Sequence, residues 1–283
     1  MRFGVNAWVW VSPLTTEELK NLSPKVKAMG FDWFELPLEV IGDLDPVEGA
    51  AILRDHDLGV SVCAAMGPDR DLIHPDAAIR ENGAAYIRQC IDVVQGLGGT
   101  NVVGPIYATV GRVWQQTPGE RAKDVEMLVT QLSDLSAYAG DRGAVICVEP
   151  LNRFETSFLN LASQAIEIID RVDHPSCKIL LDTFHMNIEE KSLGKAIRDT
   201  GAHRLAHFHA CENDRGAPGS GNVTWSEVSA ALKDIGYDGP VVIESFTDKV
   251  KSIARAAAIW RAFEPSQDAL AQNGVQFLKQ LLG

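Results

Sequence analysis

The chain has 283 residues, of which 46% are hydrophobic and 23% are charged, an ordinary composition for a soluble globular protein. Its formal net charge of −12 repels phosphate backbones, so we expect no nucleic-acid partner. No apolar run approaches the roughly 18 residues that span a bilayer, so we expect no membrane partner either. The length allows two average domains or one α/β barrel, and no linker divides the chain.

Apolar runs typical of β-strands alternate with amphipathic patterns typical of helices along the chain. The first run, RFGVNAWV, reads as a strand that leads into a helix and not as a signal peptide. Seven further runs follow it: DWFELPL, GVSVCAAM, NVVGPIY, AVICVEPL, KILLDTFHM, RLAHFHA and GPVVIESF. The helical patterns between them include TTEELKNLSPKVKAMG, AAIRENGAAYIRQCIDVVQGLGG, ERAKDVEMLVTQLSDLSAYAGDRG and TWSEVSAALKDIGYDG. Several begin with a Ser, Thr or Asp cap and end at Gly.

Nearly continuous apolar strands that are separated by helices indicate parallel strands buried on both faces. Eight such units favour an α/β protein with the (β/α)8 TIM-barrel fold. We expect a single domain over residues 1–283, with one extra C-terminal helix near 266–281. The alternative is an open, doubly wound sheet, but no GxGxxG motif follows the first strand, which argues against a dinucleotide-binding version of it.

The chain has five cysteines, at positions 63, 90, 147, 177 and 211. They form no CxxC pair, their number is odd, and several lie in apolar runs that suit small buried thiols. We therefore expect free thiols and a cytoplasmic protein, since disulfides are rare in reducing compartments.

Ligand-type side chains stand at the ends of the last four predicted strands. Glu149, Asp182, His209 and Glu244 follow one another at intervals of about one βα unit. A single acid at such a position is more often a helix cap than a ligand. Four together at one rim are different, because three converging carboxylates repel one another unless a cation lies between them. Three carboxylates and one imidazole suit Mn²⁺, Mg²⁺ or Co²⁺ better than a thiolate-type zinc site.

The seventh strand and its continuation, HFHACENDR, place two histidines on one face, because side chains alternate along a strand. In a barrel, His207 and His209 would both point inward. Taken alone, such a pair is somewhat more typical of a hydrogen-bonded core than of a polar site.

Four segments resemble the ketose 3-epimerase family, which includes D-tagatose, D-allulose (psicose) and L-ribulose 3-epimerases among the xylose isomerase-like barrels. These segments are EPLNRFE, LDTFHMNIEE, HFHACENDR and IESF. The resemblance covers the whole chain in strand order and is sharpest over 145–246.

The resemblance implies roles for individual residues. The metal ligands of the family map onto four positions: Glu149, Asp182, His209 and Glu244. Its substrate-holding residues map onto Glu155, His185 and Arg215. The same resemblance implies an enzyme in which Glu149 and Glu244 act as opposed catalytic groups, while His207 supports the core.

The implied reaction is the metal-dependent epimerisation of a free ketose at C3 through a cis-enediolate. Mn²⁺ is the expected cofactor, with Co²⁺ or Mg²⁺ as alternatives, and the expected partner is a small-molecule ketose. A homo-oligomer, either a dimer or a tetramer, is left open. The alternative function is another sugar or polyol isomerase or dehydratase of this superfamily, acting on an inosose-type or hydroxypyruvate-type substrate.

Two loops depart from the family pattern and leave the identity of the sugar open. They are CAAMGPDRD after the third strand and GPIYATVGRVWQQTPGE after the fourth. Trp114, in the second loop, fits a wall of the sugar site and a packing anchor equally well. The segment 217–222 could cradle a phosphate, but its Gly and Asn residues favour a turn.

Overall fold

The computed structural model describes residues 1–283, and its eight parallel strands form a closed barrel in sequence order. Each strand pairs with the next, and the eighth pairs with the first. This confirms the predicted (β/α)8 fold. The strands are β1 (Arg2–Asn6), β2 (Trp33–Leu38), β3 (Gly59–Ala64), β4 (Asn101–Gly104), β5 (Val145–Val148), β6 (Cys177–Asp182), β7 (Leu205–His209) and β8 (Pro240–Ile243).

Helices surround this barrel, and most of them begin at a side chain that caps a free backbone N–H. The capping box of the fourth helix, for example, joins Thr117 and Glu120. The helices are α1 (Thr16–Ala28), α2 (Pro46–Asp55), α3 (Ala77–Gly96), α4 (Pro118–Gly140), α5 (Ala162–Val172), α6 (Thr183–Glu189), α7 (Leu193–Thr200), α8 (Trp225–Asp234), α9 (Lys251–Ala256) and α10 (Gln267–Leu282). None of them combines the length and the apolar character needed to cross a membrane.

Several predicted strands extend further in the sequence interpretation than in the structure, and in two of them a side-chain cap ends the strand. The run KILLDTFHM is strand only to Asp182, because the Asp182 carboxylate accepts the N–H of Phe184 and thereby starts α6. The first run is strand only to Asn6, whose side chain accepts the N–H of Trp8 and begins a short 3₁₀ turn. Trp8 and Trp10 therefore lie outside β1.

The main hydrophobic core lies between the strands and the helices. Outward-facing strand residues such as Val62, Ile146 and Phe208 pack there against the helix layer. A smaller cluster fills the inside of the barrel with modest side chains, including Cys63, Val103, Cys147 and Leu180. The predicted free thiols are present, since none of the five cysteines forms a disulfide and all are buried.

A bulge in β7 determines which of its side chains enter the barrel. Leu205 pairs with Ile179 and His207 pairs with Leu180, so Ala206 is an extra residue on this strand. Leu205 consequently packs in the outer core, whereas His207 and His209 point inward and are fully buried. The prediction that the two histidines share an inward face is confirmed.

Phe208 tests the contribution of the outer core to stability. Its side chain is fully buried between the barrel and the helices. We expect Phe208→Ala to lower the free energy of unfolding by about 3–5 kcal/mol, because it removes apolar contacts and leaves a cavity. Chemical denaturation followed by circular dichroism would measure the change.

The matched control is Phe154→Ala, since Phe154 is 75% exposed. This variant should stay within about 0.5 kcal/mol of the parent protein. Equal losses in the two variants would contradict the assignment of Phe208 to the core.

Candidate metal centre and active site

Three carboxylates and one imidazole meet at the carboxyl end of the barrel. Glu149 follows β5, Asp182 ends β6, His209 ends β7 and Glu244 follows β8. One ligand-type atom of each lies within 4.8 Å of the others, and all four residues are buried. Nδ1 of His209 is 3.5 Å from Glu244 Oε2, 3.7 Å from Glu149 Oε1 and 3.9 Å from Asp182 Oδ2. The four positions expected from the sequence thus form one group, here called the carboxylate–histidine cluster.

A buried carboxylate across the barrel sets the orientation of His209. Glu35, in the middle of β2, accepts a hydrogen bond from His209 Nε2 at 2.9 Å. In the neutral form of the ring the proton is on Nε2, so the lone pair is on Nδ1, the atom that faces the three carboxylates. A carboxylate bound to the far nitrogen in this way is the usual support of a metal-binding histidine.

Glu35 is itself held by several polar groups of the barrel interior. It accepts hydrogen bonds from Asn6 Nδ2 at 2.9 Å and Ser61 Oγ at 2.8 Å, and His207 Nε2 lies 2.8 Å from its Oε2. Burial acts to raise the pKa of Glu35, but the charges of His209 and His207 outweigh burial and hold this pKa well below its usual value. The sequence interpretation missed Glu35. The available signal was an acid inside DWFELPL, a strand predicted to be buried on both faces.

Two atoms of the carboxylate–histidine cluster have no hydrogen-bond partner in the protein. They are Glu149 Oε1 and His209 Nδ1, and both are buried. Burial raises the pKa of Glu149, and the negative charges of Glu244 and Asp182 raise it further. A divalent cation among these atoms would satisfy both and remove the repulsion between the carboxylates. The donor set therefore fits a divalent metal ion.

Arg215 brings a positive charge against this cluster. Its Nη1 donates to Asp182 Oδ2 at 2.6 Å and to Glu244 Oε2 at 2.8 Å, and its guanidinium lies 4.0 Å from the centre of the Phe184 ring. The backbone of Arg215 has a φ of 69°, a conformation that costs a non-glycine residue on the order of 1–3 kcal/mol. Ser245 Oγ stabilises it by donating to the Arg215 carbonyl at 2.7 Å.

Glu212 organises the loop that carries Arg215. Its buried carboxylate accepts hydrogen bonds from Trp225 Nε1 at 2.5 Å, Gly219 N at 2.7 Å and Val223 N at 3.1 Å. The contact from Gly219 occupies a backbone amide of segment 217–222, which we considered as a phosphate cradle. The segment forms a turn, which is closed by a hydrogen bond of 3.0 Å from the Ser220 N–H to the Ala217 carbonyl oxygen.

His185 lies on α6 beside the cluster and is fixed through Asn152. The Asn152 backbone N–H donates to His185 Nδ1 at 3.0 Å, and Asn152 Nδ2 is 2.9 Å from the same atom. Asn152 Nδ2 also donates to Glu155 Oε1 at 2.9 Å. Burial, together with the charge of Arg215, lowers the pKa of His185 to about 3. The imidazole is therefore neutral near pH 7.

A cavity of about 690 Å³ opens above the cluster. Three residues that the sequence predicted as substrate-binding, Glu155, His185 and Arg215, line it together with Glu149 and Glu244. The opposite wall comes from the loops after β1 to β4 and includes Trp8, Glu39, Met66 and Val110. Trp114 does not line the cavity. It stacks on the buried Phe158 at a ring distance of 6.2 Å, as a packing anchor does.

Comparison with known proteins places this architecture in a family. The xylose isomerase-like TIM barrel family matches residues 24–281. A probable ketose 3-epimerase of Synechocystis is 33% identical, over 99% of this chain and 96% of the relative. D-Psicose 3-epimerase of Agrobacterium fabrum is 34% identical, over 92% of each chain.

The solved structures agree with the sequence relatives. The D-psicose 3-epimerase of Clostridium cellulolyticum H10, determined with D-tagatose, superposes with a TM-score of 0.91 at 30% identity. The match covers 100% of this chain and 99% of that structure. The chain thus belongs to the ketose 3-epimerase family of xylose isomerase-like TIM barrels, and it is a carbohydrate epimerase or isomerase.

Proposed function

We propose that this enzyme catalyses the metal-dependent epimerisation of a free ketose at C3, with Glu149 and Glu244 as the two proton-transfer groups. The observation that carries the proposal is the pairing of these two buried glutamates in one cluster at the base of the cavity. A protein that only bound a sugar would not need two bases at this point. The relatives named as ketose and D-psicose 3-epimerases support the same reaction.

The chemistry requires a proton to leave C3 on one face and another to arrive on the opposite face. The C3 proton of a ketose is acidic because it is α to the C2 carbonyl. One glutamate removes it to give a cis-enediolate, and the other glutamate delivers a proton to the opposite face. In the reverse direction the two glutamates exchange roles.

The cluster supports the negative charge that this reaction develops. A divalent ion held by Glu149, Asp182, His209 and Glu244 would supply Lewis-acid stabilisation of the negative charge that develops on the sugar oxygens. Mn²⁺ is the ion we propose, with Co²⁺ or Mg²⁺ as alternatives, because hard oxygens and one imidazole suit these ions. Glu35 would keep Nδ1 of His209 available as a ligand.

Three further residues would position the sugar. Arg215 and His185 bring Nη2 and Nε2 to within 3.1 Å of each other beside the cluster, so both can donate to oxygens near the ketone. Glu155 would accept a hydrogen bond from a hydroxyl close to O2. Holding the ketone in one orientation accounts for a large part of the rate in such reactions.

The charges around the cavity favour an unphosphorylated sugar. Four carboxylates line it, namely Glu39, Glu149, Glu155 and Glu244, whereas Arg215 is the one arginine and no lysine lines it. A phosphate would meet net negative charge here. The structure of the Clostridium cellulolyticum relative holds the free ketose D-tagatose, which supports this substrate class.

We also propose that the chain forms one domain over residues 1–283 and works in a reducing cytoplasm. All of its strands belong to one closed barrel, which supports the single domain. Five free, buried cysteines support the reducing compartment.

Removal of the metal tests the role of the cluster. We expect prolonged chelation to abolish epimerisation and to lower the Tm, since three buried carboxylates would lose the ion that binds only the native state. Mn²⁺ or Co²⁺ should restore both properties. Full activity in protein that elemental analysis shows to be free of metal would refute the metal dependence.

Arg215→Ala tests substrate positioning. The variant should lose about 10²-fold or more in kcat/KM, because the guanidinium no longer orients the ketone end of the sugar. Metal content should be unchanged. Arg261→Ala is the matched control, since Arg261 is a surface residue paired with Asp214, and it should keep normal kinetics. Loss of metal along with activity would show that Arg215 supports the cluster instead.

Isotope exchange tests the chemistry itself. Turnover of a ketose in D₂O should place deuterium at C3 of the product, which NMR of the recovered sugar would detect. Glu149→Gln and Glu244→Gln each keep one oxygen for the metal but lose the base, so each should lower epimerisation by several orders of magnitude. One-sided exchange in a single variant would assign the remaining glutamate to one face of the sugar.

Formation of the epimer in D₂O with protium fully retained at C3 would contradict proton exchange by the two glutamates. A single-turnover run with C3-deuterated ketose would then detect any internal return of the label. Product analysis in the same samples separates epimerisation from the alternative function, because an isomerase or dehydratase would release an aldose or a dehydrated product.

A further inference from the structure

The Nδ1 atom of His185 faces two N–H donors that both belong to Asn152. The backbone N–H donates at 3.0 Å, and the side-chain Nδ2 lies at 2.9 Å. A backbone N–H can only donate, so Nδ1 must supply the lone pair. A neutral imidazole carries one proton, which therefore lies on Nε2.

The orientation of the Asn152 amide is fixed independently of the histidine. Its Oδ1 accepts the backbone N–H of Phe154 at 2.9 Å, and its Nδ2 donates to Glu155 Oε1 at 2.9 Å. A flipped amide would place oxygen against the Glu155 carboxylate and NH₂ against the Phe154 N–H. The side-chain NH₂ group is therefore the part of Asn152 that faces His185.

The Nε2–H of His185 then points toward the reacting end of the cavity. It lies 3.8 Å from Glu149 Oε1 and 3.1 Å from Arg215 Nη2. Arg215 carries only donors, so two N–H groups meet there without a lone pair between them. An oxygen atom of the substrate would accept from both.

We propose that Asn152 is a positioning residue, which keeps His185 in the Nε2–H tautomer so that the ring donates to the ketone end of the sugar. This inference rests on the proposed C3 epimerisation for its kinetic consequence. The tautomer itself can be measured without turnover, so the two proposals fail separately.

The tautomer can be read from the imidazole nitrogens by NMR. The whole protein would be labelled with ¹⁵N-histidine and loaded with Mg²⁺, which is diamagnetic. His185 would be assigned as the signals that disappear in His185→Gln. We expect its Nδ1 to resonate as an unprotonated nitrogen and its Nε2 as a protonated one. A protonated Nδ1 in the parent protein would overturn the proposal.

Two substitutions of Asn152 separate positioning from packing. Asn152→Asp keeps the shape and the acceptor for Phe154, but it turns a charged carboxylate oxygen toward His185. This oxygen competes with the backbone N–H of residue 152 for Nδ1 and should draw a proton onto that atom. Asn152→Ala removes the side chain but retains the backbone N–H that donates to Nδ1. We expect the Asp variant to lose about 10²-fold in kcat/KM and the Ala variant to lose less. A purely structural role predicts the opposite order, because Ala leaves a gap, and that order would contradict the proposal.

Repulsion between Asp at this position and Glu155 is a competing explanation for a loss in the Asp variant. The double variant Asn152→Asp, Glu155→Gln removes that repulsion. We expect Nδ1 of His185 to remain protonated in its ¹⁵N spectrum. Return of Nδ1 to the unprotonated form would show that Glu155, and not Asn152, controls the tautomer.

Discussion

The central constraint in this protein is the burial of four carboxylates around one histidine at the mouth of the barrel. Glu35, Glu149, Asp182 and Glu244 are all withdrawn from water, and each is close to His209. Isolated buried charges of one sign would be strongly unfavourable. The arrangement therefore requires positive charge, which Arg215 provides in part and a divalent ion would complete.

This requirement explains why side chains from distant parts of the chain converge. Glu35 from β2 fixes His209 on β7, and Arg215, on the loop after β7, contacts Asp182 on β6 and Glu244 after β8. The strained backbone at Arg215 is stabilised by Ser245, which follows β8 and donates a hydrogen bond to the Arg215 carbonyl. Rigidity at this rim suits a reaction in which two bases must stand on either side of one carbon atom.

The two halves of the barrel rim have different chemical character. The loops after β5 to β8 contribute nearly all of the ionisable groups, which would hold the metal and the ketone end of the sugar. The loops after β1 to β4 contribute largely apolar walls such as Met66 and Val110, with Glu39 as their one carboxylate in the cavity. The reaction type should thus depend on the loops after β5 to β8, and the choice of ketose on the loops after β1 to β4.

The sequence by itself determined the fold and the four cluster residues, because hydrophobic periodicity gives strands and helices, and strand ends in a barrel share one rim. It also determined that His207 and His209 share a face. Only the tertiary structure identified Glu35 and Asn152, since their partners lie 174 and 33 residues away along the chain and no local pattern encodes such contacts. The structure also assigned Trp114 to packing, because stacking on Phe158 depends on how two separate loops meet in space.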